Sequence, residues 1–257
     1  MSERVITWSY GGGTQSIAIA VLVAQGRLPK PDCVVIADTG REATETWDYL
    51  SEYVRPLLKG VGVEVFIAGH DYSKVDLYSH KGELLIPAFT ENGMLQTFCS
   101  SEWKAFVVQR FLRAQGYGPK KPVRTWIGIS LDEIGRAKPS RTKWQELHWP
   151  LLMDVTMRRS ECRQLVLDAG LPEPPKSSCY MCPFRKDGQW KRLKESYPDD
   201  FKKACELDAR IRQADKKGGV WLHRSRIPLA DVEFSDDEKA HPLFGQVEGC
   251  DSGMCWV

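Results

Sequence analysis

The chain has 257 residues, 42% of them hydrophobic and 27% charged, which is the profile of a globular chain long enough for one or two cores. No apolar run reaches the roughly 18 residues of a membrane span, and the first ten residues carry no secretion-signal pattern, so a cytoplasmic protein without a membrane partner is expected. The formal net charge of +2 conceals an asymmetry of −4 over residues 1–98, +12 over 99–227 and −6 over 228–257, a basic middle that suits a nucleotide, a nucleic acid or the acidic tail itself.

Arg4 to Trp8 is rich in β-branched and aromatic residues and predicts a strand. Ile17 to Ala24 predicts a buried helix, ended near Gly26. Between them lies Ser9-Tyr10-Gly11-Gly12-Gly13-Thr14-Gln15-Ser16. Three consecutive glycines leave a turn without Cβ atoms, so backbone N–H groups can approach a ligand, and a helix N-terminus just beyond favours an anion such as phosphate. Thr14 and Ser16 add hydroxyl donors. No lysine follows the last glycine, which excludes a Walker A loop, and the G-x-G-x-x-G spacing is absent.

Cys33 to Ala37 predicts a second strand buried on both faces, ending in Asp38-Thr39-Gly40. Trp47, Leu50, Val54, Leu57 and Leu58 give a helix over about 44–59, with Thr44 as a candidate N-cap. A third strand is expected at Val63 to Ile67, and residues 68–98 give no clear pattern. Ser100 or Ser101 can cap a helix bearing Trp103, Phe106, Val107, Phe111 and Leu112, with Cys99 at its N-terminus, where a thiolate is favoured. Val123 to Ile129 is the fourth strand, followed by a cationic run at Arg136, Lys138, Arg141 and Lys143, and Leu147 to Leu152 is a last strand or extended segment. A helix from about Arg158 to Ala169 ends the series.

Strands alternating with helices predict an α/β fold: a parallel twisted sheet with helices on both faces, its ligand at the carboxyl ends of the strands. That edge would hold the glycine turn and Asp38-Thr39-Gly40 together. Three prolines in residues 171–176 require an extended linker. It divides a nucleotide-binding domain, 1–170, from a mainly helical, cysteine-rich region, 171–257. Cys33, Cys162 and Cys205 fall in core or helical patterns, which leaves Cys99, Cys179, Cys182, Cys250 and Cys255. Cys179 and Cys182 form a C-x-x-C pair able to share a metal or cluster. Eight cysteines in a cytosolic chain argue against disulfides.

These segments resemble the PP-loop superfamily. Gly11-Gly12-Gly13-Thr14-Gln15-Ser16 is similar to the S-G-G-x-D-S loop of N-type ATP pyrophosphatases, with Gly11 for the first serine and Gln15 for the aspartate. Glutamine there resembles the sulfonucleotide reductases, whereas the glycines and Ser16 resemble the ATP-cleaving branch. Asp38-Thr39-Gly40 with Glu45-Thr46 resembles the reductases' D-T-G…E-T segment, which lies beside adenine and ribose. The stretch from Gly128 to Arg136 resembles their G-x-R-x-x-E-S-x-x-R region, with Ser130 in place of the first arginine, so the anion-binding role carries over only to Arg136.

Cys99, Cys179 and Cys182 resemble the cysteine layout that binds a [4Fe-4S] cluster in adenylyl-sulfate reductases. Ser100 replaces one ligand of that layout, which leaves Cys255 or Cys250 to supply the fourth, with Cys255 favoured. The C-terminal E-C-G-L-H motif is missing, and Glu248-Gly249-Cys250 is a partial echo that makes Cys250 the candidate catalytic thiol. The likeness is strongest to members carried by phages and mobile elements, some near CRISPR loci.

The resemblance implies binding of ATP, or of PAPS or APS, with Mg²⁺, Asp38 being a candidate Mg²⁺ ligand. It implies a [4Fe-4S] cluster, with zinc as the alternative. The preferred reaction is cleavage of ATP to AMP and pyrophosphate, which activates an acceptor for sulfur or amine transfer, with Arg136 steadying the transition-state charge. Thiol-dependent sulfonucleotide reduction through Cys250 and a non-catalytic accessory protein that binds nucleotide or nucleic acid are the alternatives. A sulfur-donor protein and a homodimer are compatible partners.

Overall fold

The computed structural model describes residues 4–69, 71, 76–95, 99–214 and 219–235. In chain order its elements are β1 (Val5–Ser9), α1 (Thr14–Ala24), β2 (Cys33–Ala37), α2 (Thr44–Tyr49), α3 (Arg55–Lys59), β3 (Val65–Ala68), β4 (Phe89–Thr90) and β5 (Gly93–Met94). There follow α4 (Phe106–Ala114), β6 (Val123–Ile127), β7 (Gln145–His148), α5 (Pro150–Met153), α6 (Arg159–Asp168), α7 (Asp187–Ser196) and α8 (Pro198–Ala214). Five strands form one parallel sheet in the order β3-β2-β1-β6-β7. The expected α/β architecture is therefore the observed one.

The period-two geometry of a strand puts alternate residues on opposite faces. In β2, Val34 and Ile36 join the core under α1, α5 and α6, whereas Cys33, Val35 and Ala37 join the core under α4. Both faces are thus covered. Helix α1 is apolar all round and buried along its length, as a central helix must be. A buried polar ladder ties the strands beside it: Thr7 and Thr125 share a 2.7 Å hydroxyl contact, and Gln145 Nε2 donates to Thr125 Oγ1 at 3.0 Å. Among the described residues no helix is long and apolar enough to cross a membrane.

Several sequence boundaries shift for identifiable reasons. The helix expected over 44–59 is interrupted by a π turn at Leu50–Val54, closed by Arg55 N–H donating to Leu50 O. Pro56 removes a donor just beyond it, and widening the preceding turn relieves the clash of its ring. A second π turn, Ser101–Ala105, joins the helical residues Cys99 and Ser100 to α4, so Ser100 and Ser101 lie inside that helix instead of capping it. Pro150 has the φ of a first helical position, so the segment expected to be extended as far as Leu152 stops at His148 and turns into α5. Thr44 does not cap α2; its own N–H donates to Asp200 Oδ2 at 2.6 Å, a carboxylate supplied from α8.

The C-terminal region builds a second core from Met181, Trp190, Leu193, Leu207, Ile211 and Leu222, into which Leu77, Ile86, Ala88 and Trp103 of the earlier chain also pack. Asp208, 1% exposed on α8, is the polar hub of this core. It accepts Leu222 N–H at 2.9 Å, Leu229 N–H at 3.1 Å and Arg212 Nε at 3.0 Å.

Cys33, Cys162 and Cys205 pack in these cores, and burial pushes their thiols up from 9.0 to about 11, about 12 and about 11. A rise from 9 to 11 leaves about a hundredfold less thiolate, the reactive form. Iodoacetamide at pH 8 should therefore label all three far more slowly in the native chain than in urea, as read by peptide mass spectrometry. Native labelling of Cys162 at the urea rate would contradict its placement.

Candidate functional site

The site starts where β1 ends. Tyr10 N–H still pairs with Val35 O at 2.9 Å, and Gly11 N–H then donates to Ser16 Oγ at 3.0 Å, so the Ser16 hydroxyl folds the turn. Gly12 has φ +73°, and a Cβ there would meet Thr46 Cγ2 at 2.6 Å. Gly13 is extended and precedes α1, whose first internal bond is Ile17 N–H to Gly13 O at 3.0 Å. No side chain caps the helix, and among the described residues nothing accepts from the N–H groups of Thr14, Gln15 or Ser16. Three orphan donors at a helix N-terminus are the groups an anion can bridge.

The end of β6 closes against this cradle. A Cβ on Gly128 would stand 3.1 Å from Ser16 Oγ, so glycine is what lets strand and helix meet. Just beyond, Gln15 Nε2 donates to Glu133 Oε2 at 2.7 Å, and Glu133 Oε1 holds Arg136 Nη1 at 2.6 Å. The glutamine of the turn thus recruits a carboxylate from 118 residues away. β1 and β6 are adjacent, with their following chains leaving in opposite directions across the sheet, and such a switch point opens a crevice. Here it is a cleft of about 440 Å³. Eight arginine or lysine side chains line it against three glutamates.

The third wall is the proline-rich segment. It is extended, as the prolines require, and it crosses the cleft: Ser177 Oγ donates to Gly11 O, and Pro174, Lys176 and Ser178 line the cavity. Ala43 N–H then donates to Ser178 O at 3.2 Å and Tyr180 N–H to Arg41 O at 2.9 Å. This short antiparallel pairing sets the C-x-x-C turn beside the turn that follows β2. Cys179 Sγ lies 3.6 Å from Thr39 Oγ1 and 3.9 Å from Glu42 Oε1, and Glu42 pairs with Lys104 at 2.8 Å. Cys182 N–H donates to Cys179 O at 3.1 Å. Burial, with Glu42 adding to it for Cys179, pushes both thiols up.

Of the residues expected to contact nucleotide, Gly11, Gly13, Thr14, Gln15, Ser16, Thr39, Gly128 and Arg136 line the cleft. Ser9, Gly12, Asp38 and Gly40 do not. Ser9 is inside β1 and Gly12 is buried against Thr46. Asp38 Oδ1 accepts Gly40 N–H at 2.7 Å, closing the turn that presents Thr39, so its carboxylate is occupied with folding. In the cationic run only Arg136 reaches the lining. Cys99, Cys179 and Cys182 all line this one cleft. Among the described residues, however, no three His, Cys, Asp or Glu side chains gather as ligands of a single ion. Cys250 and Cys255 lie outside the described residues.

Sequence reasoning missed Glu133, Arg159, Arg163, Lys176, Ser177, Arg185 and Arg192, all on the lining. Two faint signals existed: Ser177-Ser178 abuts the C-x-x-C, and Arg185 follows it by three residues.

No family profile matches the chain, and no curated protein does. Among solved structures it is similar to a phosphoadenylyl-sulfate (PAPS) reductase from Candida auris in a phosphate complex. That match has 9% identity and a TM-score of 0.41, and covers 67% of this chain and 76% of that one. It is also similar to the U34-tRNA thiolase NcsA from Methanococcus maripaludis with its [4Fe-4S] cluster. Here the identity is 15% and the TM-score 0.44, with 80% of this chain and 70% of that one covered.

Proposed function

We propose that this chain is a PP-loop enzyme that binds ATP and cleaves it to AMP and pyrophosphate, activating an acceptor for sulfur or amine transfer. The observation that carries the reading is the uncapped N-terminus of α1, opening with the glycine turn into a cleft whose lining is dominated by cations. Oriented N–H groups and surplus positive charge are what a polyphosphate needs. An acceptor oxygen would attack the α-phosphorus, the bond to the bridging oxygen would break, and pyrophosphate would leave. The N–H groups of Thr14, Gln15 and Ser16 would hold phosphate oxygens, and Arg136, steered by Glu133, would offset the charge that develops. Mg²⁺ enters with ATP as part of the substrate.

The resemblance to cluster-binding sulfonucleotide reductases favours an iron–sulfur centre at the thiols. Cys99, Cys179 and Cys182, three soft donors on one cleft, would hold a [4Fe-4S] centre with Cys255 as fourth ligand, zinc being the alternative. When bound, such a centre supplies iron able to bind sulfur or pass electrons.

Incubation of anaerobically purified protein with radiolabelled ATP and Mg²⁺ tests the reaction. Formation of AMP and pyrophosphate is the expected result. Release of sulfite from PAPS or APS with thioredoxin, without ATP cleavage, would replace it with sulfonucleotide reduction. A salt-sensitive gel shift without any turnover would favour the accessory role.

A further inference from the structure

Among the described residues, Arg185 is a buried charge with no carboxylate in ion-pair contact. It is 6% exposed, lies on the cleft wall and packs its guanidinium 5.8 Å from the Trp190 ring centroid. Its donors reach only carbonyls: Nη2 to Ser178 O and Cys179 O at 3.3 Å, and Nε to Cys179 O at 3.4 Å. The carboxylates that face it are Glu45 and Glu42, and each is already engaged, Glu45 by Arg192 and Glu42 by Lys104. No described carboxylate forms an ion pair with Arg185 itself. The other groups around it are the thiols of Cys179 and Cys182.

An arginine kept out of water without a counter-charge is expensive, and native chains retain such a group where an anion completes it. The carbonyls do not explain its retention. Ser178 O also accepts Ala43 N–H, and Cys179 O also accepts Cys182 N–H, so neither would be orphaned if Arg185 were lost. We infer that Arg185 is the resident counter-ion of an anionic metal–thiolate centre held by Cys99, Cys179 and Cys182. The inference rests on the metal-binding part of the proposed function and goes beyond it, because it concerns charge and not ligation. Three thiolates outweigh the double positive charge of a zinc ion or of an oxidised [4Fe-4S] core, so either centre is a net anion, and Arg185 would neutralise it across the carbonyls of the turn.

This role predicts effects of different sign with and without metal. Arg185→Met and Arg185→Lys would be made in the full chain, purified anaerobically and loaded with iron and sulfide or with zinc. In the metal-free protein, Arg185→Met should leave the thermal midpoint unchanged or raise it, because it removes an uncompensated buried charge. In the loaded protein, it should weaken retention of metal against EDTA by about 10- to 100-fold, the usual effect of removing a partner from around a metal's ligands. Arg185→Lys, which keeps the charge, should retain most of the metal.

If Arg185→Met lowered the metal-free midpoint, or prevented folding, the residue would be a packing element and the inference would fall. Equal metal retention by Arg185→Met and wild type would overturn it as well. Wild-type protein that takes up neither iron nor zinc would remove the metal reading itself, an outcome distinct from either of these.

Discussion

Gly13→Val is expected to weaken ATP binding at least a hundredfold while the chain still unfolds cooperatively. Gly13 has an extended backbone that valine can adopt, and an added Cβ would meet Ser177, its Cβ at 3.2 Å and its N at 3.8 Å. The valine methyls would stand beside the donors of the α1 N-terminus and push the crossing segment outward. Losing two charge-assisted hydrogen bonds, at roughly 1.5–3 kcal/mol each, accounts for the hundredfold. Gly12→Val is a different experiment. Its φ of +73° and the 2.6 Å approach to Thr46 combine backbone strain with overpacking, so a stability loss of about 2–5 kcal/mol would accompany any loss of binding. Calorimetry with ATP and urea unfolding on both variants separate the two effects. Full ATP affinity in Gly13→Val would remove the phosphate cradle from the proposal.

Asp208→Ala is expected to destabilise the C-terminal core by about 3–5 kcal/mol, because two buried N–H groups lose their acceptor and Arg212 loses its partner. Asp208→Asn should cost about half as much, since one amide oxygen can still accept while its NH₂ cannot. Urea midpoints for the three proteins measure this. A loss under 1 kcal/mol in Asp208→Ala would mean that the loops carrying Leu222 and Leu229 are held by apolar packing alone.

The sheet was legible because its strands are short apolar runs with glycine or proline at their ends, and the glycine turn because three successive glycines leave few alternatives. Local sequence could not show that the two strand ends on either side of the cleft share a network, because Gln15 and Glu133 are 118 residues apart. The same limit hid the cap of α2. Thr44 has a good capping side chain, yet a carboxylate from Asp200 reached its N–H first. At Asp38 the sequence allows two uses: an aspartate two residues before an N–H on a left-handed glycine is as suited to closing a turn as to holding an ion, and with Gly40 at φ +67° its Oδ1 closes the turn. The proline-rich segment was read correctly as extended, but extended chain is also good material for a wall, and only its bonds to Gly11 and Ala43 show that it forms one.

The π turn at Ser101–Ala105 sets the angular phase of the first thiol. A π turn is an α-helix carrying one extra residue, and each residue advances a helix by about 100°. The residues after it, Val107, Val108, Phe111 and Leu112, are committed to the sheet core. Cys99 and Ser100 before it are therefore rotated by about 100° from where an uninterrupted helix would place them, and that rotation leaves Cys99 on the cleft. Deleting Ser101 from the turn would restore an ordinary helix with α4 still in the sheet core and would swing Cys99 out of line with Cys179 and Cys182. A length change of one residue, with every thiol retained, would therefore separate the proposed nucleotide site from the proposed metal site.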